Sequence, residues 1–253
     1  MKQHQGHWLN LPSLGLSIRV LFSGYLLAIS LGLLLAGVQI LLTHGMADGE
    51  FGLSIDDIVY SYYGDRNNSR LENALNGAMK NKAPEPVRLE IINWARDGAP
   101  KADWDRQFKN VFAQHCTSCH GALSGIPDFN DYAQIEKVAS TDNGEGIDTL
   151  TRVSHIHLFG IAFIFFFVGF IFSMAVGLPR WLKEVVIAMP FAFLIIDVLS
   201  WWLTSLHPGF AWLTMVSGIG YGLAAFFMLA TSMYQMWFMP PTGETYINEW
   251  RYN

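Results

Sequence analysis

The chain has 253 residues, of which 51% are hydrophobic and 15% are charged, and its mean hydropathy is +0.25. This composition excludes an ordinary soluble domain for much of the chain and predicts extensive contact with lipid. With a net charge of −5, the chain lacks the basic surplus typical of nucleic-acid-binding proteins. A lipid membrane is therefore an expected partner, and nucleic acid is not.

Four apolar stretches are long enough to cross a hydrocarbon core about 30 Å thick, which takes about 20 helical residues. They cover approximately residues 20–42, 156–176, 185–203 and 210–238. Small residues at 45–47 would suit cleavage of the first stretch as a secretory signal. Because its apolar run exceeds the roughly 7–15 residues of a signal core, the first stretch is predicted to remain as an anchoring helix.

Between the first two stretches lies a polar segment, residues 44–152, which has the length of one small domain. It contains 17 acidic and 11 basic residues and is therefore acidic. Apolar residues recur at helical spacing over 85–94, which predicts a helix there. A further stretch, 104–112, leads directly into the motif described next.

The most informative residues are Cys116-Thr117-Ser118-Cys119-His120, which contain both cysteines of the chain. A C-x-x-C-H sequence is typical of covalent haem attachment, in which two thiols bond to the haem vinyl groups and the imidazole binds the iron. A zinc site would need two further ligands at similar spacing, and a thioredoxin-like dithiol would need a βαβ context. One covalent haem c is therefore predicted on Cys116, Cys119 and His120.

The second axial ligand of the iron is harder to assign. The segment from His120 to Ser154 contains no methionine, although a class I cytochrome c carries its methionine ligand downstream of the motif. Met79 and the helix predicted at 85–94 resemble the methionine loop and C-terminal helix of a cytochrome c, placed before the motif instead of after it. Met79 is the first candidate; His155 or His157 is the alternative, and only one of these two can face a given partner on a helix.

Three polar residues of the membrane half form a possible site at the outer leaflet: His157, Asp197 and His207. A carboxylate inside an apolar span is costly and marks a functional site by default. Such a site would suit a quinol, a metal or a proton path, whereas a simpler interpretation is a hydrogen bond from Asp197 to Ser200 or Trp201. A b-type haem is not expected, because His207 precedes a proline in a loop and offers a poor partner for His155 or His157.

The distribution of positive charge predicts the orientation, because basic residues near span ends favour the cytoplasm. Five of them fall on one side if both termini are cytoplasmic: Lys2, Arg19, Arg180, Lys183 and Arg251. The same topology places the motif in the periplasm, the compartment in which haem is attached covalently in bacteria.

The predicted fold is all-α, with four transmembrane helices and a periplasmic cytochrome c-like domain inserted between the first and the second. Its parts are the N-terminus with the first helix, the haem domain, a three-helix bundle and a cytoplasmic tail, at residues 1–43, 44–152, 153–238 and 239–253. The motif resembles c-type cytochromes, and the membrane half is similar to uncharacterised proteobacterial membrane-bound monohaem cytochromes. The resemblance implies an inner-membrane location but no known activity.

Two functions fit these residues. In the first, the chain is a one-electron carrier within a respiratory or photosynthetic membrane complex, whose other subunits are its partners. A basic soluble cytochrome is a further partner, steered by the acidic segment. In the second, the outer-leaflet polar residues oxidise quinol and pass electrons to the haem. An electron-transfer subunit is expected more than a stand-alone catalyst.

Overall fold

A computed structural model describes residues 9–45, 52–123 and 126–239. Lys2, Arg251, the tail from residue 240 onward and residues 46–47 of the cleavage sequence lie outside the described residues. The described residues fall into two compact units. The membrane unit comprises the described residues of 1–38, 148–201 and 212–253, and the motif unit comprises those of 39–147 and 202–211.

The prediction of an all-helical chain with four membrane spans is confirmed for the described residues. The spans are α1 (Leu16–Thr43), α9 (Ile147–Ser173), α10 (Arg180–Leu206) and the run Pro208–Trp237, most of which is α11 (Ala211–Trp237). All four extend beyond at least one end of the apolar stretch from which they were predicted. Hydropathy marks only the part of a helix that lipid can cover, whereas the backbone hydrogen bonds continue into polar flanking turns.

One end of the membrane unit is joined by polar contacts between separate segments. The Leu11 amide donates to the Met174 carbonyl at 3.0 Å. The buried Gln235 side chain pairs with both backbone groups of Val176, each at 2.8 Å. Backbone groups of the α9–α10 loop have no partner within a helix, and these bonds satisfy them. Such pairing is obligatory where water is scarce.

Three of the basic residues that predicted the topology lie close to this end of the membrane unit. Trp237, the last residue of α11, donates to Ser23 of α1 at 2.8 Å, one turn beyond Arg19. Arg180 begins α10 directly after the connecting loop, and Lys183 donates to the carbonyl of Ser173 at 3.3 Å. Arg19, Arg180 and Lys183 therefore share one end of this helical unit.

The motif unit consists of short helices, and the predicted helix at 85–94 is present. The stretch 104–112 begins as a π-helical turn and continues as an α-helix. In chain order the elements are α2 (Ile55–Tyr62), α3 (Arg70–Asn76), α4 (Glu85–Arg96), α5 (Lys101–Asp103), the π-helical turn (Trp104–Phe108), α6 (Lys109–His115), α7 (Thr117–His120) and α8 (Tyr132–Ala139).

Side-chain caps fix where these short helices begin. The Ser54 hydroxyl accepts from the Asp57 amide while the Asp57 carboxylate accepts from the Ser54 amide, which forms a capping box at α2. Ser69 caps α3 by accepting from the amide of Glu72. The buried Glu72 carboxylate then accepts hydrogen bonds from the guanidinium of Arg96, which ties α3 to α4.

Aromatic residues form the centre of the motif unit. Trp94 of α4 stacks on Phe108 with ring centroids 4.7 Å apart. Phe112, which is 1% exposed, packs edge-on against Trp94, Trp104 and Phe129. Such pairs add about 0.5–1.5 kcal/mol each beyond their buried area. The helix that leads into the motif is thus anchored through its aromatic face.

Two turns cross closely at another edge of the motif unit. Gly64 and Gly144 have positive φ angles of 80° and 72°, and a Cβ at Gly144 would lie 2.1 Å from the Tyr62 carbonyl oxygen. Only glycine permits this approach. Arg70 reinforces the crossing, since its Nε donates to the Asp142 carboxylate at 2.9 Å.

Candidate functional site

The Cys116–His120 motif begins at the junction of α6 and α7 and continues as the single turn of α7. The Cys116 amide donates to Phe112 O at 2.8 Å, which ends α6, and the His120 amide donates to Cys116 O at 3.0 Å, which forms α7. Because the aromatic core fixes Phe112, it also fixes the position of Cys116. The backbone of the motif is therefore set by packing that does not depend on a bound group.

Two contacts orient the imidazole of His120. Its Nδ1 lies 3.1 Å from the carbonyl oxygen of Pro127, which can only accept, so Nδ1 carries the proton. Its ring stacks on Phe129 with centroids 4.1 Å apart and planes 2° from parallel. The lone pair then resides on Nε2, the nitrogen free to bind a metal, and a backbone partner on the other nitrogen is typical of histidine ligands.

The two thiols differ in environment. Cys116 is half-buried against the aromatic core, and Cys119 is exposed; neither forms a disulfide. Burial raises the pKa of the Cys116 thiol to about 11, which keeps it protonated and unreactive at neutral pH. Both thiols are unbonded, and their positions are therefore compatible with thioether formation to a docked group.

Apolar residues next to the motif face outward. Leu123 is 61% exposed and Ile126 is 40% exposed, although both closely follow a histidine fixed by the core. An apolar macrocycle coordinated by His120 would give such side chains a surface to cover. The two thiols, the imidazole and the apolar side chains around them thus fit a haem held by Cys116, Cys119 and His120.

Met79 packs against the same aromatic core as Cys116. It lies just after α3, where its amide donates to Ala74 O at 2.7 Å and its carbonyl accepts from the Lys82 amide at 3.0 Å. Arg88, a buried residue of α4, donates to the neighbouring Lys80 carbonyl at 3.3 Å. The motif and the Met79 turn therefore border one core.

In the membrane unit, His157 and Asp197 are linked through Trp201. The His157 ring meets the Trp201 ring edge-on at 5.0 Å, and the Trp201 side chain is hydrogen-bonded to the buried Asp197 carboxylate. His157 Nδ1 donates to Val153 O at 2.9 Å. His155 is exposed and contacts the Phe159 ring at 5.0 Å. The cluster is filled by packed side chains, which agrees with the simpler interpretation of Asp197.

His207 has a structural role in the motif unit. Its Nδ1 accepts from the Gly209 amide at 3.0 Å and caps the 3₁₀ turn Pro208–Phe210. The neutral ring then carries its proton on Nε2, so neither nitrogen is a free acceptor in this arrangement. The sequence does not reveal the capping function of His207, because that function depends on local backbone geometry.

A cavity of about 290 Å³ in the motif unit brings together polar residues that sequence reasoning missed. Its lining includes His44, Tyr60, Ser61, Arg70, Asp142 and Glu145. The Ser61 hydroxyl donates to Asp57 O, so it accepts from His44 Nδ1 at 2.8 Å. Burial lowers the pKa of His44, opposed by Glu145 and Asp57, which favours the neutral ring with Nε2 as acceptor.

Comparison with known proteins addresses the membrane half. A family model described as a transmembrane helical domain matches residues 137–243, which include α9, α10 and α11. The protein is a multi-pass membrane protein. No curated protein and no solved structure matches the chain. The matched residues and the four candidate spans support contact with lipid, and the chemistry of the motif unit rests on its own residues.

Proposed function

We propose that the protein holds one covalent haem c on Cys116, Cys119 and His120 and transfers single electrons as a subunit of a membrane respiratory or photosynthetic assembly. The observation that carries this proposal is the orientation of His120, with Nδ1 on the Pro127 carbonyl and the ring stacked on Phe129. When bound, the haem would supply a one-electron redox centre.

The chain's own residues perform the holding and orienting. Cys116, at the junction of α6 and α7, and Cys119, within α7, would each fasten the haem, and His120 Nε2 would bind its iron. Phe129 and Pro127 prevent the imidazole from rotating, which keeps its lone pair directed at the metal. Met79 is the first candidate for a second protein ligand of the iron, because its turn borders the same core; His155 or His157 is the alternative.

The proposed orientation places the motif unit in the periplasm and the basic end of the membrane unit in the cytoplasm of a bacterial inner membrane. It is supported by Arg19, Arg180 and Lys183, which share that end. The acidic segment 44–152 would attract a basic soluble cytochrome, an effect that falls as salt increases. Partner subunits of the assembly would cover part of the membrane unit.

Cysteine variants test the proposal directly. In denaturing gels of wild-type protein expressed with a haem-maturation system, haem stain should coincide with the protein band. Cys116→Ala and Cys119→Ala should each lose stable attachment, because each thiol forms its own bond to the porphyrin. Ser118→Ala, inside the same motif, is the matched control and should stain like wild type; an unstained wild-type band would refute haem attachment.

A second candidate function is quinol oxidation by a polar site, with electrons passed to the haem. The polar cavity near His44 favours it, because a membrane-derived small molecule could be held beside the motif unit's core. His157, Asp197 and His207 were the site expected for this function. The His157 ring instead packs against Trp201, whose side chain is hydrogen-bonded to Asp197.

A further inference from the structure

The cavity in the motif unit begins at the end of a membrane span. Thr43, the last residue of α1, lines it together with His44. Its volume of about 290 Å³ is at the lower limit of small-molecule sites, which are about 300–1,000 Å³. The cavity therefore adjoins the residue at which α1 ends.

The charges and hydrogen-bonding groups of the cavity define the ligand chemistry. Arg70 pairs with Asp142 at 2.9 Å and with Glu145 at 3.6 Å, so one cation meets two carboxylates. The excess negative charge disfavours an anion. His44 Nε2 and the Glu145 carboxylate are acceptors, which suits a neutral ligand that donates hydrogen bonds at separate points.

Helix α3 borders both the cavity and the aromatic core of the motif unit. Arg70, Asn73 and Ala74 line the cavity at spacings of three and four residues, which place them on one face of the helix. Leu71 and Leu75 are buried in the aromatic core on another face. Ala78, which also lines the cavity, directly precedes Met79. A ligand in the cavity would lie one helix away from the core that borders the motif.

We infer that this cavity binds the dihydroxyaromatic headgroup of a membrane quinol, with its hydroxyl groups donating to His44 Nε2 and Glu145. The small side chains of Ala74 and Ala78 leave room for the ring. This inference rests on the proposed function, since it names the ligand that the haem-carrying unit would bind, and it concerns binding alone. The quinol site then lies among the cavity-lining residues of the motif unit and not at His157, Asp197 and His207.

Binding is measured on the full chain in lipid nanodiscs, with 2,3,5-trimethylhydroquinone as the probe and empty nanodiscs subtracted. The protein is kept anaerobic and pre-reduced, so that binding occurs without turnover. Isothermal titration calorimetry should give saturable binding at one site. His44→Phe and Glu145→Gln should each weaken it at least tenfold, and Ala74→Leu, which fills the cavity, should abolish it.

Two exposed positions give matched controls. Glu85→Gln and Ala102→Leu make the same chemical changes away from the cavity and should bind like wild type. Circular dichroism and the reduced haem spectrum of every sample establish that the variants fold. If Ala74→Leu misfolds, His44→Phe and Glu145→Gln still decide the result.

The outcomes separate this inference from the haem proposal. Absence of saturable binding to a haem-containing wild type, or binding unchanged in all three cavity variants, would overturn the quinol site and leave the haem assignment intact. A wild type that binds the probe at this cavity but carries no covalent haem would overturn the haem assignment and leave the quinol site intact.

Discussion

The two units of this protein differ in the large apolar side chains that they leave exposed. In the motif unit the aromatic and aliphatic core is enclosed, with Phe112, Ile91 and Ile135 at 1%, 0% and 0% exposure. In the membrane unit, polar Ser200 and Ser232 are fully enclosed, whereas Phe226 is 72% exposed. The motif unit shields its core from water, whereas the membrane unit can leave apolar side chains exposed because lipid tails are equally apolar.

The difference determines what each unit can position. The motif unit holds His120 and Cys116 through aromatic packing, so its candidate site depends on the core. In the membrane unit the buried Ser200 hydroxyl pairs with Thr214 at 2.6 Å, because an unpaired group in lipid is costly. Polar residues in the two units therefore call for different default interpretations.

The largest expected effect on stability comes from a Phe→Ala substitution in the core of the motif unit. The same substitution on the surface of the membrane unit serves as the comparison. Phe112→Ala should destabilise the motif unit by about 3–5 kcal/mol, because it leaves a cavity among three aromatic neighbours. Phe163→Ala, at a position 64% exposed on α9, should change stability by only about 0.5 kcal/mol. Denaturant unfolding in mild detergent, followed by circular dichroism and by haem absorbance, measures both. Equal losses would contradict the contrast between the units.

A smaller effect is expected from Met79→Leu, which keeps the packing volume but removes the thioether. If Met79 binds the iron, oxidised wild type should show the weak sulfur-to-iron charge-transfer band at the red edge of the visible spectrum, and Met79→Leu should lose it. The reduction potential should also fall, because methionine ligation raises it. Spectroscopy with redox titration measures both.

Met174→Leu is the control for this substitution, since Met174 is buried in the membrane unit. If wild type lacks the band and Met79→Leu leaves the spectrum unchanged, His155 or His157 becomes the candidate, and His157→Ala or His155→Ala should then alter the spectrum. That outcome would make the membrane helix α9 part of the haem site and weaken the separation of roles between the units.

The smallest expected effect is the pH dependence contributed by His44. Its pKa in the folded chain is lowered by burial from an unfolded value of about 6.5. As the pH falls below 6.5, the unfolded chain binds a proton before the folded one does, so stability decreases with falling pH until the folded pKa is passed. His44→Asn should therefore show a shallower loss of stability between pH 7 and pH 5. An unchanged slope in denaturant unfolding would contradict the burial of this ring.

Features encoded by neighbouring residues could be predicted from the sequence. Hydropathy predicted four spans, because a membrane helix must be apolar along its own length. The motif at Cys116–His120 was recognisable because five consecutive residues carry its chemistry. The helix at 85–94 followed from its apolar spacing, and the structure extends it to Arg96.

Features that depend on distant contacts could not be predicted. His44, Arg70 and Glu145 are far apart in sequence and meet only because Gly64 and Gly144 let two turns cross. The partner of His120, Pro127, lies in a loop whose course no pattern reveals. The bond by which His207 caps a 3₁₀ turn, from the Gly209 amide, likewise depends on local backbone geometry that the sequence does not reveal.

The pyridine haemochrome spectrum of purified full-length protein, combined with quantitative amino-acid analysis, tests the central claim most directly. The account predicts one c-type haem per chain, which remains attached after acidic acetone extraction, and no b-type haem. A chain without c-type haem after expression with a haem-maturation system would contradict the account. A stoichiometric b-type haem that acid acetone removes would contradict the assignment of haem binding to the motif alone and would shift the redox centre to histidines outside it.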